Sequence, residues 1–96
     1  MPSSEISTDL EARRRRARYR AWHRGMLEMD MILGPFADLY VGAYDHSQLQ
    51  RFEVIMDESD ADLLSWIMGR EAPGPDVDAE FVAELTAFQL SRSAAK

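Results

Sequence analysis

Apolar residues recur at three- and four-residue spacings along most of the chain, the period of an α-helix with one buried face. Met29, Ile32, Leu33, Phe36 and Tyr40 form the clearest stripe, with Glu28, Asp30 and Asp38 off it. Leu49, Phe52, Ile55 and Met56 make a second stripe; Leu63, Leu64, Trp66, Ile67 and Met68 make a denser third; Val77, Phe81, Leu85 and Phe88 make a fourth. Ahead of them, Leu10, Ala17, Ala21 and Trp22 supply a thin face among arginines. No stretch alternates with period two, so no sheet is expected. The pattern predicts an all-α protein, a compact bundle of five short helices.

Cap and breaker residues set the expected boundaries. Thr8-Asp9-Leu10-Glu11 has capping-box spacing, which starts the first helix near residue 9 and carries it to about Arg24. Gly34-Pro35 interrupts the second stripe, and a proline there removes a donor and crowds the preceding turn, so a kink or short break is expected. Asp45-His46-Ser47 caps the third helix, which ends near Asp57; Ser59 or Asp60 caps the fourth, and Gly69 closes it in a left-handed conformation. After the breaker Pro73-Gly74-Pro75, Asp76 or Asp78 caps the last helix. The domain is therefore expected over residues 9–92, between flexible tails at 1–8 and 93–96.

Composition narrows the function classes. A chain of 96 residues has room for one small domain, and 46% apolar residues support a packed core. The lack of cysteine excludes disulfides, thiolate metal sites and cysteine nucleophiles. His23 and His46 have no carboxylates at metal-ligand spacing, the serines fall in caps, turns and tails, and no GxGxxG or P-loop occurs. No enzyme, no metal site and no stably bound cofactor are expected. Neither a membrane span nor a secretory leader is legible, and Glu5, Asp9 and Glu11 are out of character for a transit peptide, so the expected location is the cytoplasm.

The net charge of −6 conceals a division: residues 1–24 carry seven Arg against three acids, net +4, and residues 25–96 are net −10. The run Arg13–Arg16, continued by Arg18, Arg20 and Arg24, reads first as a solvated helix face. Among binding roles, an acidic protein surface suits it better than nucleic acid, because the acidic body repels phosphate and no aromatic platform or recognition helix accompanies it. A small nucleic-acid-binding helical protein using this helix is the alternative.

The segment Arg24-Gly25-Met26-Leu27-Glu28 stands apart. An Arg four residues before a Glu is the weaker orientation of a helical ion pair, worth about 0.2–0.5 kcal/mol, while Gly inside a helix costs about 1 kcal/mol against Ala. Local stability does not account for the choice, so the segment reads as a turn or contact point flanked by opposite charges, suited to a partner surface. Arg20 and Arg24 with Glu28 would form one mixed-charge column if the helix stayed regular past Gly25. Met29, Met56 and Met68 read as core; Met26, at the junction, reads as an exposed flexible apolar contact. Trp66 reads as core.

Three blocks, His23-Arg24-Gly25-Met26-Leu27-Glu28-Met29-Asp30, Leu33-Gly34-Pro35-Phe36 and Asp60-Ala61-Asp62-Leu63-Leu64-Ser65-Trp66, strongly resemble the SdhE-like family of succinate dehydrogenase assembly factors. The resemblance covers roughly residues 18–90 and includes the order and spacing of the blocks. It implies a five-helix bundle that binds the flavoprotein subunit of succinate dehydrogenase, and the related fumarate reductase flavoprotein; the free chain is expected to be a monomer. It further implies that the chain favours covalent attachment of FAD to that partner, whose own histidine attacks the flavin methyl position. By position, Arg24, Gly25 and Glu28 match the family's RGxxE motif; Met26 and Asp30 fall in the same contact region, with Arg20 beside them, and Pro35 and Phe36 shape the helix that presents it. The arginine run and the first dozen residues extend beyond what the motif requires.

Overall fold

A computed structural model describes the backbone of residues 2–94 and the side chains of residues 9–92. The side chains at 1–8 and 93–96 lie outside the described residues, and so do residues 1, 95 and 96 of the expected flexible tails. Five α-helices follow one another: α1 (Pro2–Trp22), α2 (Leu27–Tyr40), α3 (His46–Met56), α4 (Asp60–Ile67) and α5 (Ala79–Ala94), with a single 3₁₀ turn at Val41–Ala43 between α2 and α3. Among the described residues there is no strand, and no helix is long and apolar enough to cross a membrane.

The four apolar stripes after α1 meet in one core. Phe36 sits at its centre, with ring centroids 6.0 Å from Phe52, 5.7 Å from Phe81 and 5.4 Å from Phe88, separations at which aromatic pairs attract beyond their buried area. Met29, Leu33, Leu49, Leu63 and Leu85 are fully enclosed around it. The thin face of α1 is buried through Ala17 and Ala21, small residues that let α1 lie close to α2 and α3. Expected caps are in place: Asp45 and Gln48 form a reciprocal capping box on α3, Ser59 caps α4, Asp78 accepts from the Phe81 amide at the start of α5, and Gly69 ends α4 with φ +74°.

Two boundaries differ from the sequence reading. Helix α1 starts at Pro2 rather than near residue 9, since a proline's fixed φ suits the first helical position; it ends at Trp22, two residues before Arg24, because the chain turns through Gly25 at φ +91°. Helix α2 does not break at Gly34-Pro35. The carbonyl that Pro35 leaves without its backbone donor is that of Met31, four residues earlier, and Arg92 of α5 donates to it. Gly34 has its own reason: a Cβ there would lie 2.3 Å from the Trp22 indole, so glycine lets the ring lie flat on α2, where Nε1 donates to the Asp38 carboxylate at 3.2 Å.

Two side chains also depart from expectation. Tyr40 is 45% exposed, at the end of α2 where its ring still meets Phe36 and Phe88. Trp66 is half-buried, packed against the core edge.

Candidate functional site

The turn between α1 and α2 is built by its own motif. Gly25 adopts a positive φ with open space where a Cβ would stand, so the glycine serves the backbone angle, not a close neighbour. Met26 follows in extended conformation (φ −127°, ψ 118°) as the N-cap of α2. Its side chain is half-buried against the core, not free as the sequence suggested, because the turn folds it back beneath α2. Asp30 instead fixes the turn ahead of the helix: its Oδ1 accepts from the Arg24 amide at 2.7 Å.

Arg24 points inward. Its side chain is 11% exposed; Nε donates to Asp60 Oδ1 at 2.7 Å, while the two terminal nitrogens donate to the backbone carbonyls of Glu58 (2.8 Å) and Met56. One guanidinium thus satisfies carbonyls left open at the C-terminal end of α3 and ties the α1–α2 turn to the α3–α4 turn. Asp60 was legible in sequence as a cap and as the start of the third resemblance block, not as a partner of Arg24; it lies 36 residues away, and no local spacing announces the pair. The mixed-charge column does not form, since α1 ends before it and Arg20 reaches Asp57 at 2.9 Å instead.

Glu28, in the first turn of α2, is exposed and has no hydrogen bond or ion pair among the described residues. It borders a groove of about 610 Å³ running between α2, the end of α4 and α5. Leu27 (71% exposed), Met31 (46%) and Met68 (49%) give the groove apolar walls, and Arg70 and Arg92 lie along it. Met68 was expected in the core; it is the C-cap of α4, one residue past the last helical turn, and the chain there swings it outward.

Of the other arginines of α1, Arg13 and Arg14 are committed within the molecule. Arg13 reaches Glu53 and His46, each at 2.7 Å, and its hydrogen bond to Glu53 raises its guanidinium further above the ordinary value. Arg14 donates to the Tyr44 carbonyl at 2.7 Å. The basic run is thus a docking strip for the acidic body as well as a solvated face, with Arg15 and Arg16 among the exposed positions. His23 stacks on Tyr19 with centroids 4.0 Å apart, and His46 takes the Arg13 contact.

Comparison with known proteins identifies the family. Residues 15–89 match the family described as flavinator of succinate dehydrogenase. Among curated relatives, the FAD assembly factor SdhE of Acetobacter pasteurianus is 37% identical over 75 residues, covering 72% of this chain and 69% of its own. Succinate dehydrogenase assembly factor 2, mitochondrial, of Dictyostelium discoideum is 34% identical over 86% of this chain and 55% of its own; the protein of that name from Aspergillus terreus is 35% identical over 82% and 26%. The chain therefore spans about a quarter to a half of the length of these two eukaryotic relatives. No solved structure matches. With a family match that runs from the second half of α1 into α5 and includes the RGxxE turn, this chain belongs to the family of succinate dehydrogenase flavinators.

Proposed function

We propose that this chain is an assembly factor for succinate dehydrogenase that binds the enzyme's flavoprotein subunit, and the related fumarate reductase flavoprotein, and promotes covalent attachment of FAD to that partner. The observation that carries the proposal is Glu28: an exposed carboxylate without an internal partner among the described residues, on a helix start held by the inward Arg24 brace. Rigid supports lower the ordering cost of a contact, so Glu28 is placed to bind before a partner arrives. FAD belongs to the partner; this chain supplies the surface that holds the partner in a competent conformation. Its effect is bounded by how much more tightly it binds that conformation than the others, a tenfold enrichment requiring about 1.4 kcal/mol.

The test is in-gel flavin fluorescence of the denatured flavoprotein subunit, produced with the native chain, without it, and with Glu28→Ala. Covalent flavin is expected to rise with the native chain and to fall back with the variant. Equal fluorescence in all three would overturn the proposal.

A further inference from the structure

The groove beside Glu28 has a mixed lining: Leu27, Met31 and Met68 are exposed along its walls, and Glu28 on α2 and Arg70 after α4 line it with them. Arg70 is exposed and has no side-chain hydrogen bond or ion pair among the described residues. It is carried there by the left-handed Gly69 turn, which the Arg70 amide fixes by donating to the Ser65 carbonyl at 2.9 Å. Arg92 is spent differently, on the Met31 carbonyl and the face of Phe88. The free charges are therefore an anion on α2 and a cation after α4, with methionine-rich walls that adapt to an apolar insert.

We propose that this groove seats a segment of the flavoprotein partner with an apolar ridge, a basic side chain opposed to Glu28 and an acidic one opposed to Arg70. The inference rests on the assembly-factor reading and adds the location and the chemistry of the docked segment. Charge complementarity selects that segment, since a like charge set against Glu28 or Arg70 would repel it. A second copy of this chain also offers both charges, but a two-fold pairing would bring two concave surfaces face to face and leave the groove unfilled. A convex segment of another protein fills it. Arg70 and Met68 then belong to the interface, and neither falls within the RGxxE motif.

The experiment uses the full chain and the purified flavoprotein subunit. Binding is measured by calorimetry for the native chain, Arg70→Glu, Arg70→Lys and Met68→Asp, and each chain's fold is checked by circular dichroism. A photo-crosslinking amino acid is placed at position 68 and, as a control outside the groove, at the exposed Val54. The expected result is binding weakened about tenfold or more by Arg70→Glu and by Met68→Asp, the scale of a contributing interface residue, with Arg70→Lys near native. Crosslinks to the flavoprotein are expected from position 68 and not from 54. Native-strength binding by Arg70→Glu and Met68→Asp, with crosslinks from 54 alone, would overturn the groove and leave the assembly role standing. Crosslinks from 68 only to a second copy of this chain would assign the groove to self-association and overturn the proposal. No binding by the native chain would overturn the assembly reading and this inference with it.

Discussion

Arg24 and Glu28 are four residues apart and face opposite ways. The Arg24 side chain is turned onto Asp60 and the carbonyls of Met56 and Glu58, whereas Glu28 faces solvent. Their substitutions should therefore separate stability from function. Arg24→Ala strips hydrogen bonds from two main-chain carbonyls and leaves Asp60 unpaired, for an expected loss of about 1–3 kcal/mol. Glu28→Ala loses only a favourable position near the helix N-terminus, about 0.3–1 kcal/mol. Urea denaturation followed by circular dichroism should show a clear fall in midpoint for Arg24→Ala and a small one for Glu28→Ala, with the slope unchanged in both. Equal midpoints for the two variants would mean that the brace carries no stability. A partner-binding assay alone could not tell the two residues apart, because loss of the turn also misplaces Glu28.

Helix α2 shows how one element reconciles residues that argue against it. The sequence places Pro35 in mid-stripe and predicts an interruption; the helix continues because α5 supplies, through Arg92, the donor that proline lacks. Restoring a backbone N–H with Pro35→Ala lets Met31 accept within the helix, so Arg92 becomes redundant. The expected outcome is a non-additive double-mutant cycle: Arg92→Ala lowers stability in the native background and costs less in Pro35→Ala, with thermal unfolding as the readout. Purely additive effects would sever the two residues. The same helix marks what was legible. The stripe Met29, Ile32, Leu33, Phe36, the caps at Asp45, Ser59 and Asp78, and the closing Gly69 all rest on neighbours within about one turn, and local chemistry announces them. Arg92 on Met31 spans 61 residues and Arg24 on Asp60 spans 36, so neither has a periodic signature. Met68 misled for a related reason: a composition dense in apolar residues says nothing of where the last turn ends, and one residue past it the side chain leaves the core.

At the scale of the molecule, the division between a basic first helix and an acidic body is largely folded in on itself. Arg13, Arg20 and Arg24 meet Glu53, Asp57 and Asp60 in sequence, so α1 lies along α3 and the turn after it in one register of opposite charges. The more exposed pairs, Arg13–Glu53 and Arg20–Asp57, contribute about 0–1 kcal/mol each, which makes them a guide to docking more than a source of stability. Arg51 and Asp78 extend the scheme to α5, and here the charge leaves a pH signature. The hydrogen bond from Arg51 holds the Asp78 carboxyl below the usual carboxylate range, assisted by the Phe81 amide and opposed by partial burial. A folded value below the unfolded one, about 3.9, means the stabilisation is complete above that pH and is lost as pH falls through the folded value. At the other end, burial pushes the Tyr44 phenol up to about 12, so the neutral ring's contribution is complete below the unfolded value, about 10, and is lost as pH rises through 12. Asp78→Asn keeps an N-cap on α5, since Asn caps as well as Asp, but removes the titrating charge. Its urea midpoint should fall less steeply than the native chain's below about pH 4, while Tyr44→Phe should flatten the alkaline limb and leave the acid one unchanged. An acid limb equally steep in Asp78→Asn and the native chain would mean that the Arg51–Asp78 pair carries none of the acid sensitivity.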